Sequence, residues 1–182
     1  MKRHIEVEYR ARFSKDEYSR LLSILEEEGK DLGPDDKHVY FFILPDKLLK
    51  VTDNVSQNTA KITGKLTRIG EGSSFEEIEF SIAREDVAMA VLLFQKFGFT
   101  DVHRSFQSRH NFWYHGVEIA LKYSDMWGYH AELEIVIGDE SEKSSADLQI
   151  HNVAQELGII LMTEKELKDF VQEKELEIKS SH

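Results

Sequence analysis

Six glutamates sit in three acid-apolar-acid pairs: Glu6 and Glu8 in Ile5-Glu6-Val7-Glu8-Tyr9-Arg10, Glu77 and Glu79 in Glu77-Ile78-Glu79-Phe80, and Glu132 and Glu134 in Ala131-Glu132-Leu133-Glu134-Ile135. On a β-strand, side chains alternate between faces with a period of two. Each pair therefore presents two carboxylates on one face, with Arg10 beside the first pair. Cations recur on the same parity argument. Lys50 lies in Leu48–Thr52, Lys61, Thr63 and Lys65 share a face, and so do Gln107, Arg109 and Asn111. Lys122 shares its parity with Ala120. If these faces converge, the lumen between them holds both signs of charge. Its natural guest is a polyanion with a divalent metal, because Lys and Arg bind phosphate oxygens and carboxylates bind Mg²⁺ or Mn²⁺.

Taken singly, each acid pair reads as a solvated strand face, and Arg10 or Arg109 as the cross-strand partner of an acid. The other polar residues carry less chemistry. The eight histidines form no H-x-H or H-x-x-x-H pair. His110, His115 and His130 read as structural, and His103, Ser105 and Ser108 have no acid placed to build a triad. With no cysteine there is no disulfide, thiolate zinc site or cysteine nucleophile. The net charge is −11, from 34 acids against 23 Lys and Arg. That balance argues against general nucleic-acid binding, although a local basic pocket is compatible with it. Apolar runs are too short to span a bilayer. The first residues lead straight into a strand pattern without a signal-peptide core, so a cytoplasmic protein is expected. The length suits one domain over residues 1–182, and a homodimer stays open.

The elements that must position these residues follow from pattern and punctuation. A strand is expected over residues 4–13. A helix over Lys15–Glu28 follows, opened by the Ser14/Glu17 capping box and closed at Gly29. Strands are expected at Val39–Leu44, Leu48–Thr52, Asn58–Arg68 and Phe75–Ile82, with turns at Pro45-Asp46 and Asp53-Asn54 and a loop at Gly70–Ser74. A helix over Arg84–Phe97 precedes three strands in residues 101–137, the first pair joined at Tyr114-His115-Gly116. Two helices end the chain, from Ser144 to Leu157 and from Thr163 onward, and the last residues read as frayed. The count is eight hairpin-linked strands, enough to close an antiparallel barrel. The alternation alone allows two arrangements: apolar residues inside and acids in water, or apolar residues outward under the helices and charges lining the lumen.

The ordered set of motifs resembles the CYTH superfamily, the triphosphate tunnel metalloenzymes, which includes class IV adenylate cyclases, thiamine triphosphatases and inorganic triphosphatases. Its opening E-x-E-x-K is similar to Glu6-Val7-Glu8-Tyr9-Arg10. Its L-R-x-R strand resembles Leu48-Leu49-Lys50, and its lysine strand Ala60-Lys61-Ile62-Thr63-Gly64. Glu77-Ile78-Glu79, Gln107-Ser108-Arg109 and Gly128-Tyr129-His130-Ala131-Glu132-Leu133-Glu134 follow in family order. The chain departs from the pattern at Leu48 and Gln107, where cations are expected, at Phe42, where many members have Asp, and at Lys122, which replaces an Asp.

The resemblance implies an α+β fold: an eight-stranded antiparallel β-barrel, a tunnel with a polar lumen and helices packed outside. It implies a metal-dependent phosphohydrolase acting on a small-molecule triphosphate, whether inorganic triphosphate, thiamine triphosphate or a nucleoside triphosphate. Arg10, Lys50, Lys61, Lys65, Arg109 and Lys122 would hold phosphate. Glu6, Glu8, Glu77, Glu79, Glu132 and Glu134 would hold Mg²⁺ or Mn²⁺. Glu6, Glu8, Lys61 and Arg109 are the catalytic candidates. An adenylate cyclase making cyclic AMP and pyrophosphate is the alternative, and a non-catalytic polyphosphate- or nucleotide-binding module is a third.

Overall fold

A computed structural model describes residues 5–44, 47–65 and 74–180. The expected Pro45-Asp46 turn, most of the Gly70–Ser74 loop, the last residues of the Asn58–Arg68 strand, and Ser181 and His182 lie outside the described residues. In chain order the elements are β1 (Ile5–Arg12), α1 (Lys15–Glu28), β2 (Lys30–Pro34), β3 (Lys37–Ile43), β4 (Leu48–Asn54), β5 (Thr59–Lys65), β6 (Ser74–Ile82), α2 (Val87–Lys96), β7 (Val102–Tyr114), β8 (Val117–Ser124), β9 (Gly128–Ile137), α3 (Lys143–Glu156) and α4 (Glu164–Ser180).

All strand pairs are antiparallel, and eight strands pair cyclically in the order β7-β3-β4-β5-β6-β1-β9-β8, with β8 returning to β7. This is a closed barrel. β2 is a ninth strand, paired beside β3 on the same edge of the long β7. Sequence pattern does not suggest β2, because Gly33 and Pro34 are residues that interrupt strands. Its ladder shifts register between Asp31 and Gly33, and Gly33 has φ +89°, a bulge conformation that suits glycine.

Local signals behave as their chemistry requires. Ser14 accepts from the Glu17 amide while Glu17 accepts from the Ser14 amide, which satisfies two otherwise orphaned groups at the start of α1. Thr163 and Glu166 repeat the arrangement before α4. At the β7–β8 hairpin, His115 and Gly116 take φ +46° and +82°, the two positive values of a tight two-residue turn. The expected Arg84 helix start is a 3₁₀ turn over Arg84–Asp86, where Arg84 bonds Asp53 and Asn58, and the α-helix proper begins at Val87.

The cores lie outside the barrel wall. One packs Leu21 and Leu25 of α1 and Ile150 and Val153 of α3 against Val7, Phe112, Ile119 and Leu133 of the strands. The other sets Val87, Val91 and Phe94 of α2 over Phe42, Val51 and Ile62. Each large side chain fully buried in this way contributes roughly 1.5–3 kcal/mol. With its apolar positions committed outward, the barrel turns its charged positions inward, the second of the two arrangements above. Phe42 belongs to the outer core, its ring 5.3 Å from that of Phe94, whereas its neighbour Phe41 faces the lumen. No helix among the described residues is long and apolar enough to cross a membrane.

Candidate functional site

A cavity of about 430 Å³ occupies the barrel interior. The strand period delivers its lining: Glu6, Glu8 and Arg10 from β1, Lys50 from β4, Lys61 and Lys65 from β5, Arg109 from β7, Lys122 from β8, and Glu132 and Glu134 from β9. Two charge clusters hold eight of these residues, Glu6, Glu8, Lys65 and Glu134 in one and Arg10, Arg109, Lys122 and Glu132 in the other.

The first is acidic. Glu8 on β1 stands opposite Glu134 on β9, and one carboxylate oxygen from each of Glu6, Glu8 and Glu134 lies within 4.8 Å of the others. Lys65 Nζ donates to Glu6 at 2.9 Å and to Glu8 at 3.4 Å. Arg10 pairs with Glu8 as well, so Glu6 and Glu8 have cationic partners, whereas Glu134 sits against their two carboxylates. Burial, then the charges of Glu6 and Glu8, push the Glu134 carboxyl up to about 8, so at neutral pH the trio holds a proton where it could hold a cation. Three hard oxygen donors without a sulfur ligand suit Mg²⁺ or Mn²⁺.

The second cluster is basic and is organised around Glu132. Lys122 Nζ lies 2.9 Å away, an Arg10 Nη 3.2 Å and an Arg109 Nη 3.5 Å. Burial works to raise the Glu132 carboxyl, but Lys122, Arg10 and Arg109 prevail and hold it well below the usual range. Arg10 also donates through Nε to Glu8 at 2.6 Å, joining the two clusters. Although they belong to one E-x-E pair, Glu132 and Glu134 differ in role, the former a counter-ion to cations and the latter crowded by anions.

A third group escaped sequence reasoning. Asp35, between β2 and β3, takes Lys37 Nζ at 2.5 Å and Arg109 Nε at 3.3 Å, and it accepts from Asn54 and from Asn111 at 3.4 Å. Burial, then Arg109, brings the Lys37 ammonium down to about 8. Burial, reinforced by the nearby cations, does the same to Lys122. Glu118, opposite Glu134 on β8, lies 3.5 Å from Arg109. Parity with Val39 and with Lys122 was the signal that could have found Lys37 and Glu118. Asp35 lies outside regular structure, and no periodicity marks it.

Other candidates sit apart. Lys61 Nζ donates to Glu79 at 2.6 Å, and with side chains 40% and 42% exposed the pair lies at the rim, away from the acidic trio. Glu77 pairs with Lys65 through the backbone register, and its side chain lies outside the described residues. Thr63, between Lys61 and Lys65, buries a hydroxyl that finds no hydrogen-bond partner among the described residues. Leu48 and Gln107 line the cavity at the two positions where cations were expected. His130, read from sequence as structural, also faces the cavity. Burial, then Lys122, takes it down to about 3, and its Nδ1 lies 2.9 Å from the Gly128 carbonyl.

The CYTH domain family profile matches residues 4–166. The chain belongs to the CYTH family. Among solved structures it is similar to the PH1012 protein of Pyrococcus horikoshii OT3, at 24% identity and TM-score 0.72 over 89% of this chain and 93% of the other. The PH1819 protein of the same organism is 18% identical with TM-score 0.73, over 93% and 99%. HpAC1 from Hippeastrum, described as an adenylyl cyclase candidate with a dominant triphosphatase activity, is 20% identical with TM-score 0.58, over 87% and 89%. No curated protein matches the chain. At these identities the structural likeness establishes the CYTH fold. The chemistry rests on the residues in the lumen.

Proposed function

We propose that this CYTH protein is a divalent-metal-dependent triphosphatase that binds its triphosphate inside the barrel. The observation that carries the reading is the juxtaposition of the Glu6/Glu8/Glu134 trio with the Arg10, Arg109 and Lys122 cations in one cavity. Phosphoryl transfer asks a protein chiefly for positioning and for neutralisation of charge on phosphate oxygens. Arg10, Arg109 and Lys122 offer fixed donors already oriented by Glu132, so little reorganisation is needed when phosphate replaces part of their carboxylate pairing. Asp35 holds the Arg109 guanidinium from its other side and keeps the donor fork aimed. Arg10 bridges the basic and acidic clusters, Lys65 pairs with Glu6 and Glu8 within the acidic one, and Lys50 and Lys61 add positive charge to the lining. When bound at the trio, a divalent cation supplies Lewis-acid neutralisation of phosphate charge. Water attack on the terminal phosphorus then expels diphosphate, which keeps the electron pair of the broken P–O bond.

Phosphate release from inorganic triphosphate, thiamine triphosphate and ATP with Mg²⁺ or Mn²⁺ tests this. Glu6→Gln and Glu134→Gln are expected to abolish release, and unchanged rates in both would refute the assignment. The adenylyl cyclase description of HpAC1 makes cyclic AMP with pyrophosphate the product pair to measure in the same reactions. Tight binding without turnover under either metal would leave a binding module.

A further inference from the structure

α2 is apolar on nearly every side. Lys96, its last residue, is its only charge. Val87, Val91 and Phe94 settle on the barrel, while Met89, Leu92, Leu93 and, just past the helix end, Phe97 face water, with Met89 65% and Phe97 77% exposed. A helix that is apolar all round is ordinarily buried all round. The same exposure continues on the wall beside it. Ile78, Phe80 and Ile82 share the outward face of β6. Ile82 packs into the cluster beneath α2, and Phe80, 55% exposed, stands in register with Ile62 of that cluster. One row of Cα partners, Phe42, Leu49, Gly64 and Ile78, crosses β3 to β6 at the level where Phe94 packs on Phe42. Gly64 leaves a notch in that row, because a Cβ added to it would meet no atom within 4 Å among the described residues.

Ile78, Phe80, Met89, Leu92, Leu93 and Phe97 thus make one exposed apolar face. Aromatic side chains carry about 150–250 Å² each and aliphatic ones somewhat less, so at these exposures the six present roughly 600–700 Å². The largest apolar patch on a typical monomer is about 300–600 Å², and each partner in a standard interface gives up about 800 Å². With a polar rim added, the face is the size that one half of a stable dimer needs. Charge separates the occupants. The chain carries a net charge of −11, and Glu85 and Asp86 stand at the start of α2. That end of the helix opposes an anionic lipid surface, which recruits helices bordered by Lys and Arg. A second copy presents the same uncharged face, with the exposed Phe97 ring as a projection and the Gly64 notch as a recess. A two-fold interface requires such self-complementarity. We propose that two copies of this chain pair through the α2–β6 face. The lumen lies on the opposite side of the same strands, so pairing leaves the candidate site uncovered, and the dimer is independent of the triphosphate reading.

Sedimentation equilibrium of the full chain tests this. Interfaces of this size have dissociation constants that are micromolar or tighter, so the dimer is expected at about 10 µM. Leu93→Glu and Phe80→Glu alter separate elements at positions half exposed in the single chain. Each should weaken association tenfold or more, because each buries two unpaired carboxylates in the dimer. Leu148→Glu, at an exposed position on α3, should leave association unchanged. The unaltered protein supplies a measurement free of any variant. Raising NaCl from about 50 to about 500 mM should tighten the dimer, because apolar burial needs no ion pair and salt screens the repulsion between two acidic chains. Several results would overturn the proposal: a chain still monomeric at about 100 µM, a dimer that both Leu93→Glu and Phe80→Glu leave intact, equal weakening by Leu148→Glu, or a dimer loosened by salt. A monomer that cosediments with phosphatidylcholine vesicles, and loses them in Leu93→Glu, would overturn it in favour of a lipid surface.

Discussion

Replacing Glu134 by glutamine should stabilise the metal-free protein and at the same time remove its response to metal. Glu134 shares the acidic trio with Glu6 and Glu8, and its carboxyl is raised from 4.5 to about 8 by burial and by those two neighbours. Between these values the folded protein binds a proton that the unfolded chain has released. Stability from this group therefore falls as pH rises from 4.5 toward 8, which is opposite to the usual carboxylate. Each pH unit in that window costs about 1.4 kcal/mol, so at pH 7 the ceiling is roughly 3 kcal/mol. Glutamine keeps the shape of the protonated acid and has no proton to lose. For a domain of this length about 1 kcal/mol moves the melting temperature by about 2–4 °C, so Glu134→Gln should melt higher than the parent in EDTA at pH 7, with a ceiling of about 6–12 °C. In millimolar Mn²⁺ the order should narrow or reverse, because the parent gains binding energy that the variant lacks. Differential scanning calorimetry with EDTA and with Mn²⁺ measures both arms. A Glu134→Gln protein that melts lower in EDTA, or that gains as much from Mn²⁺ as the parent does, would refute the reasoning.

Three further outcomes follow from the same geometry. Glu132→Ala leaves Arg10, Arg109 and Lys122 without their shared counter-ion and should cost about 3–5 kcal/mol. Inorganic triphosphate should then raise the melting temperature of the variant more than that of the parent, and an equal rise would count against the basic cage. Lys37 and Lys122, both brought down to about 8, lose charge as pH rises through that value, so triphosphate affinity measured by titration should fall between pH 7.5 and about 9. An affinity that rises across that interval would contradict the assignment of these ammonium groups to the lumen's positive field. Phe42→Ala, beneath α2, should cost about 3–5 kcal/mol in denaturant unfolding while leaving metal affinity intact in the folded protein.

The parity of Glu6, Glu8 and Arg10 was legible in the sequence, as was that of Lys61 with Lys65, because a strand's two-residue period is a local property. Whether those faces look into the barrel or into water was not local. It depended on α1, α2 and α3 claiming the apolar positions outside, and only the ordered resemblance to a family settled the expectation. The barrel of eight antiparallel strands with helices outside follows from punctuation that the chain carries openly, such as the Ser14 and Thr163 caps and the His115-Gly116 turn. β2 was hidden because Gly33 and Pro34 contradict strand propensity while the edge of β7 supplies the pairing. Position along the barrel axis was equally hidden. Glu79 and Glu134 have the same local pattern, yet one meets Lys61 at the rim and the other meets Glu6 and Glu8 inside. Asp35, which orients Arg109 and Lys37, lies between two strands where no periodicity operates.

The central claim is that one lumen brings a divalent cation and a triphosphate together. Anomalous diffraction at the manganese edge, from crystals grown with Mn²⁺ and inorganic triphosphate, locates both directly. The account predicts a manganese peak among Glu6, Glu8 and Glu134, with phosphate density reaching Arg10, Arg109 and Lys122. Manganese bound only outside the barrel, or triphosphate held on the outer surface with the lumen filled by water, would contradict it.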